Sequence, residues 1–364
     1  MLTQPYIKLY LRQIISSGII WLIFGLVYAF LEYGIIGRLD VYPATGNKYD
    51  FNTSFISISL GSFLMGGIQG GIEILWLKKR FSDKPLWIKL LFKSIFYLIL
   101  TIIFLAVFAL IYNAFLLDVS ILNPIVFETL LRFMQKFSFW SIIIYVGLTL
   151  NIALFYSEME TYLGSDLPSK FIGKYHKPKQ QTQIFMFLDM NSSTTIAEQL
   201  GDELYFKLLK TYYADMTDAI LQTSGQIYQY VGDEIVVTWD EKIGIKNNNC
   251  IQCFYKIARN IEKNEGYYVK TFGLVPQFKA GYHIGKVTTG EIGEIKKEIV
   301  HSGDILNTAS RLQDKCNELK AKVLITGELK VKLDHKKSIS FKEVDELLLR
   351  GKSSSVKIFN VNLI

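Results

Sequence analysis

Four long apolar stretches alternate with short polar connections over the first 157 residues, after which the pattern changes character. The stretches cover about Ile14–Ile36, Phe51–Leu77, Ile88–Leu117 and Phe137–Tyr156, each at or above the roughly 20 residues a helix needs to cross a bilayer. They predict an all-α membrane domain of four transmembrane helices over residues 1–157. The first stretch is too long for a cleaved leader, and no small-residue cleavage site follows it. A polar, basic run containing Gly164, Pro168, Gly173 and Pro178 then breaks helix continuity and reads as a juxtamembrane linker over 158–181. From 182 to 364, short β-rich runs alternate with amphipathic segments, predicting a compact α+β domain with one mixed or antiparallel sheet.

Within that domain, Ile184–Leu188 reads as a buried strand ending in Asp189. Ser192–Thr195 offers N-caps for one long helix reaching Ala219. Gln226–Val231 and Ile235–Trp239 flank Gly232, Asp233 and Glu234, a hairpin around a tight turn. A helix over about Lys246–Lys263 follows, then a strand over Phe278–Ile284, a glycine-punctuated stretch from Gly285 to Gly293 and a helix over Asp304–Cys316. Strands near Val323–Thr326, Phe341–Leu349 and Val356–Val361 complete the domain.

Composition supports the division. Half of the 364 residues are hydrophobic and 20% are charged, below the roughly 25% of a typical soluble chain. Three cysteines cannot build a disulfide framework, and Cys250 and Cys253 lack the second C-x-x-C that a structural zinc site needs, so they read as packing residues. The net charge of +7 is spread over both halves, without the concentrated basic stripe that nucleic-acid binding leaves. Charge does orient the membrane domain. The connection between the second and third stretches holds Lys78, Lys79, Arg80, Lys84, Lys89 and Lys93, which by the positive-inside rule places it, both termini and the α+β domain in the cytoplasm. The linker lysines suit anionic headgroups of the lipid bilayer.

Three details of the membrane domain lead to expectations. Glu32, Glu73 and Lys93 lie toward span ends and read as snorkelling anchors, and four spans without a buried charge pair give a transporter no support. Gly66/Gly70 and Gly67/Gly71 permit close helix approach. Residues after Asn123-Pro124 suit either a short helix on the outer membrane surface or an early start of the fourth span.

The chemistry gathers in the second domain. Asp189 and Asp233 each end a strand at a turn, and carboxylates on adjacent strand ends can converge on a pair of divalent cations. Asn307 and Arg311 stand four apart on one helix face behind Gly303. An amide and a guanidinium placed so can orient a ribose and neutralise charge growing on a phosphate. No P-loop and no G-x-G-x-x-G after a strand is present.

Taken together, these elements resemble the catalytic domain of the class III nucleotide cyclases, the adenylate and guanylate cyclase family, from about Ile184 to Val361. The resemblance is carried by Phe187–Asp189 with Thr194 five residues on, the Tyr230–Glu234 hairpin, Gly281–Val287, the Gly303…Asn307…Arg311 block and the closing Leu349–Lys352. It extends to a bacterial subgroup in which a plain multi-span region precedes one cyclase domain, implying the cytoplasmic (inner) membrane of a bacterium. The fold implied is the ferredoxin-like, palm-like α+β domain. The resemblance assigns Asp189 and Asp233 to two Mg²⁺ or Mn²⁺ ions and the turn Met190, Asn191, Ser192, Ser193 and Thr194 to the triphosphate. It assigns Asn307 to ribose orientation, Arg311 to the transition state and Lys352 to the phosphates. Family sites form between head-to-tail subunits, and both halves of the site occur in this chain, so a homodimer suffices.

Base selection departs from the family pattern. The usual lysine and aspartate or threonine are replaced by Gln229, three residues before Gly232, and Val300, with His301 as a neighbouring substitute; the guanylate pattern of glutamate with cysteine is also absent. ATP is the expected substrate, with a guanylate or pyrimidine cyclase, or a catalytically silent nucleotide-binding membrane receptor, as alternatives. A diguanylate cyclase is disfavoured by the Asn307…Arg311 block and by the single glycine before Asp233.

Overall fold

The computed structural model of the chain describes residues 4–43, 46, 48–77, 80, 81, 84–163, 175–334, 339–347 and 355–363. The chain divides into two compact units, one spanning Ile7–Phe171 and the other centred on Ile172–Ile364.

The first unit is helical. Its long helices are α1 (Gln4–Ile36), α2 (Phe51–Ile72, continued by a π-helical turn over Glu73–Leu77), α3 (Leu86–Leu117) and α5 (Phe137–Leu163). All four are long and apolar enough to cross a membrane. Between 11% and 33% of each apolar window is buried within the chain, so most of that surface needs an apolar solvent rather than water. Gly66 and Gly70 face α1: a Cβ at Gly66 would lie 2.8 Å from Trp21, and one at Gly70 3.0 Å from the Ser17 Cβ. Gly67 and Gly71 have open space instead, so only one of the two small-residue pairs is used within the chain. A separate short helix, α4 (Pro124–Met134), follows Asn123, whose Oδ1 accepts the Ile125 N–H at 3.1 Å. The cap decides between the two readings of this segment, in favour of a distinct helix.

The charges of this unit correct the sequence-based expectation. Lys93 is not an interfacial anchor: its side chain is 1% exposed and ion-paired to both Glu73 and Glu158, the latter at 2.5 Å. Lys89 stands 3.7 Å from the second oxygen of Glu158, and Tyr97 donates to Glu73 Oε2 at 3.0 Å. Gln69, one turn before Glu73, accepts from the Trp21 indole N–H. A buried charge cluster therefore ties α2, α3 and α5 together. Its members are 20 and 65 residues apart in sequence, so hydropathy shows how far each lies from a helix end but not which face it meets.

The second unit is a mixed sheet with helices on both faces. Its strands are β1 (Lys179–Met190), β2 (Gln226–Val231), β3 (Glu234–Asp240), β4 (Phe278–Ile292), β5 (Glu298–Ser302), β6 (Val323–Thr326), β7 (Ile339–Leu347) and β8 (Val356–Leu363). The order is β2-β3-β1-β4-β6-β8-β7, with β5 pairing β4; β4 and β6 are parallel and every other pairing is antiparallel. One face carries α6 (Ser193–Leu200), α7 (Asp202–Gln222), α8 (Glu241–Ile245), α9 (Asn249–Lys263) and α10 (Glu265–Phe272). The main core lies beneath them, around Ile184, Met186, Tyr212, Trp239, Phe254 and Tyr282. The other face is covered by α11 (Asp304–Glu318), through Phe185, Val236, Val287, Ile305 and Ala309. Alternate residues of β1 thus feed opposite cores, as strand geometry requires. A short α12 (Gly327–Lys332) follows β6.

Several element boundaries differ from the sequence reading. The expected long helix breaks at Gly201, which takes φ +71°, into α6 and α7. The stretch from Gly285 continues β4 as far as Ile292, because its residues, glycines included, stay in the ladder: Gly285 pairs with Gln183 on β1 and Gly290 with Val300 on β5. α5 runs on to Leu163 and β1 starts at Lys179, so both ends of the segment read as linker are regular structure. Cys250, Cys253 and Cys316 are buried free thiols on α9 and α11, in the packing role expected of them.

Candidate active site

β1 and β3 are neighbours, and their pairing runs Leu188 against Ile235. Asp189 at the end of β1 and Asp233 in the turn before β3 therefore come together. Gly232 makes that turn possible with φ +61°, open to glycine at no steric penalty. Asp189 Oδ2 accepts two hydrogen bonds, from Lys279 Nζ and from Gln313 Nε2, each 3.0 Å long. Both donors are buried. Burial and the adjacent Asp233 carboxyl push the Asp189 pKa up to about 6, against the pull of the Lys279 ammonium. Glu234 is pushed up to about 7 by burial and by the charges of Asp189, Asp314 and Asp233. The site is thus rich in negative charge held out of water.

Lys279 and Gln313 were not singled out from the sequence. Lys279 could have been: a lysine between Phe278 and Ala280 in an otherwise apolar strand needs a buried partner. Gln313 lies on the face of α11 that includes Thr308, Ala309 and Leu312 and packs onto β4. That packing is unusually close, since a Cβ at Gly281 would fall 2.4 Å from the Ala309 carbonyl oxygen. Gly281 thereby lets α11 settle deep enough for Gln313 to reach Asp189. Asn307 is exposed and Arg311 half-buried on the same helix, four residues apart on the side away from Thr308 and Leu312.

The turn after β1 places Met190 in the core and carries Asn191, Ser192, Ser193 and Thr194 to the start of α6. Ser192 does not cap by its side chain as expected; it takes φ +56° instead. The Asn191 N–H donates to the Gln277 carbonyl at 2.8 Å, while Asn191 Oδ1 is buried without a partner. The first N–H groups of α6 are those a helix leaves unpaired, suited to an anion. Gln229 is exposed on β2, opposite Val236 after a bulge. Val300 on β5 lies opposite Gly290, and the next residue, His301, lies opposite Thr289. These two neighbours point to opposite faces. The His301 ring is held at 2.8 Å from Thr289 Oγ1 and packs on Tyr228 and Phe185, with centroids 4.8 and 5.4 Å away. Burial lowers its pKa to about 4, leaving the imidazole neutral. Lys352, with the Leu349–Lys352 segment, lies outside the described residues.

Asp189 and Asp233 fit a divalent cation. Asp233 Oδ2 is buried with no hydrogen-bond partner, and two adjacent carboxylates are the hard oxygen donors Mg²⁺ and Mn²⁺ take. Among the described residues no group of three or more His, Cys, Asp or Glu converges. A pair is what a Mg²⁺ site completed by substrate phosphates and water requires.

The chain is 31% identical over 222 residues to adenylate cyclase 2 of Rhizobium meliloti (strain 1021), covering 61% of each protein. It is 27% identical over 186 residues to the adenylate cyclase of Anabaena cylindrica, covering 48% of this chain and 36% of that one. The chain spans less than two thirds of the length of these curated relatives. Among solved structures, the adenylyl cyclase CyaB from P. aeruginosa aligns at 21% identity and a TM-score of 0.44, over 51% of this chain and 96% of that one. The guanylate cyclase domain of RhGC from Catenaria anguillulae in complex with GTP aligns at 17% and 0.41, over 51% and 99%. The model of the adenylate and guanylate cyclase catalytic domain matches residues 175–362, just over half of the chain and a stretch that includes Asp189, Asp233, Asn307 and Arg311, and it is to this cyclase family that the chain belongs.

Proposed function

We propose that this protein is a membrane-anchored adenylate cyclase, converting ATP to the 3′,5′-cyclic nucleotide and pyrophosphate at a site shared between two identical subunits. The observation that carries the reading is the Asp189–Asp233 pair with its unpartnered buried oxygen, on the same chain as the Asn307…Arg311 helix face. Asp189 and Asp233 would hold two divalent ions, whose Lewis acidity lowers the pKa of the ribose 3′-hydroxyl and neutralises phosphate charge. Lys279 fixes one Asp189 oxygen, leaving the other for an ion, and adds positive charge beside the phosphates. The turn from Met190 to Thr194 presents backbone N–H groups to the triphosphate. From the other subunit, Asn307 orients the ribose, and Arg311 offers forked donors to charge developing at the α-phosphorus; Lys352 is assigned to the phosphates. Incubation of the purified protein with each of the four nucleoside triphosphates and Mn²⁺ or Mg²⁺, followed by product analysis, tests the reading. A cyclic product from ATP supports it; nucleotide binding without product supports the silent receptor.

The choice of ATP rests on the curated relatives named above and on the absence of the guanylate pair. Gln229 and Val300 supply fewer fixed contacts to a purine edge than a lysine with an aspartate. Each hydrogen bond is worth about 1 kcal/mol, and 1.4 kcal/mol is about tenfold in selectivity. ATP should therefore be preferred over GTP by only ~10- to 100-fold. Gln229→Lys combined with Val300→Asp should raise that ratio, measured as relative kcat/KM. An unchanged ratio in an active double variant would assign base reading elsewhere, with His301 the next candidate.

The anchor is proposed to lie in the inner membrane of a bacterium with both termini and the cyclase domain cytoplasmic, following the lysines around Lys84. Cysteine placed at Asp40 should react with an impermeant maleimide added to intact cells, whereas cysteine at Lys84 should react only after lysis. The reverse pattern would invert the topology.

A further inference from the structure

The Gly232–Asp233 peptide sits at the apex of the β2–β3 hairpin, beyond the last ladder pair, Val231 with Glu234. A two-residue turn of this kind has two forms, related by rotation of its central peptide. Type II′ has positive φ at the first central residue only, and type I′ has it at both. Gly232 is at φ +61° and Asp233 is not among the positive-φ residues, so the turn is of the II′ kind. Aspartate tolerates the left-handed region, so the flipped form is sterically open to Asp233. The flip would reverse the Gly232 carbonyl, change the sign of φ at Asp233 and swing its carboxylate away from Asp189.

Tyr213, in the middle of α7, touches this peptide. Its hydroxyl donates to the Gly232 carbonyl at 2.8 Å and lies 3.2 Å from the Glu234 carbonyl, the two carbonyls that bracket Asp233. Its ring is steadied edge-on by Tyr230, with centroids 4.6 Å apart. A phenol is protonated at neutral pH and remains a donor. In the flipped turn the Gly232 oxygen would point away and the bond would be lost. We propose that Tyr213 is a positioning residue that holds the Gly232–Asp233 peptide in one of its two orientations, and so presents the Asp233 carboxylate to the divalent ion shared with Asp189. The inference rests on the metal assignment made above.

Mn²⁺ titrated into the full-length protein in detergent and followed by EPR tests it. Tyr213→Phe keeps the ring against Tyr230 and removes only the hydroxyl. It should weaken Mn²⁺ binding about fivefold, the effect of one hydrogen bond. The half-saturating Mn²⁺ concentration for turnover should rise by the same factor, with little change in thermal midpoint. A purely structural role would lower the midpoint and leave Mn²⁺ affinity where it was, and that result overturns the inference. Asp233→Ala, titrated in parallel, separates two failures. If Asp233→Ala loses affinity and Tyr213→Phe does not, the positioning role alone is wrong. If Asp233→Ala binds Mn²⁺ as the unaltered protein does, the metal assignment falls and this inference with it.

Discussion

Asp233→Ala should reduce turnover by about three orders of magnitude and leave the fold as stable as before. The two halves of this expectation come from one observation: Asp233 Oδ2 is buried and has no hydrogen-bond partner. A carboxylate with one buried oxygen unpaired, set beside the Asp189 carboxyl whose pKa it raises, contributes little to stability, so its removal should not lower the melting point. If it is instead a ligand, its loss removes electrostatic stabilisation of about 4 kcal/mol from the transition state, and each 1.4 kcal/mol is about tenfold in rate. Asp189→Ala should behave differently. It leaves the Lys279 ammonium, 8% exposed, without its carboxylate, and an uncompensated buried charge destabilises by about 3–5 kcal/mol. Asp189→Ala should therefore lose activity and also melt several degrees lower, whereas Asp189→Asn keeps an acceptor for Lys279 and Gln313 and should lose activity with a smaller fall in midpoint. Steady-state rates with Mn²⁺ and thermal melts of the three variants check this. Near-normal turnover in Asp233→Ala would refute the assignment.

Mixing two dead enzymes should give a live one. If metal ligands come from one subunit and Arg311 from the other, an Asp233→Ala chain and an Arg311→Ala chain each form homodimers in which both sites are broken. A mixed dimer concentrates both lesions in one site and leaves the other intact. Random pairing of equal amounts makes about half the dimers mixed, each with one working site of two, so about a quarter of normal turnover should return. Co-expression with two affinity tags, with the doubly tagged dimer isolated, raises the expected value to about one half. No recovery in isolated mixed dimers would show that each site is built within a single chain.

The parts of this protein legible in its sequence are those set by local periodicity and by short-range spacing. β1 shows as an apolar run, the β2–β3 hairpin as two β-rich runs around Gly232 and Asp233, and the four spans as length and hydropathy. Asn307 and Arg311 share a helix face by spacing alone. What escaped depends on meetings between distant segments. Lys279 and Gln313 join Asp189 across 90 and 124 residues, and no pattern within either segment announces the partner. The break at Gly201 was hidden because apolar positions recur on both sides of it. The opposite orientations of Val300 and His301 follow from pairing with β4, which extends through the glycine-punctuated stretch after Ile284.

The charge cluster of the helical unit bears on how the protein is made. In a bilayer, an unmatched Lys or acidic residue on a helix inserts at a penalty that reaches about 3 kcal/mol at the helix centre and is smaller toward the ends, where Glu73, Lys93 and Glu158 lie. During synthesis α2 arrives with Glu73, α3 then brings Lys93 and Lys89, and Glu158 comes last on α5. Neutralisation is completed only by the helix that immediately precedes the catalytic domain in the chain. The bundle thus becomes electrically complete just before the enzyme begins to emerge from the ribosome, and a chain stalled after α3 would carry two lysines against a single carboxylate. Exchanging a single helix of this unit for that of another protein would leave a buried charge without its partner, whereas exchanging the whole bundle would not.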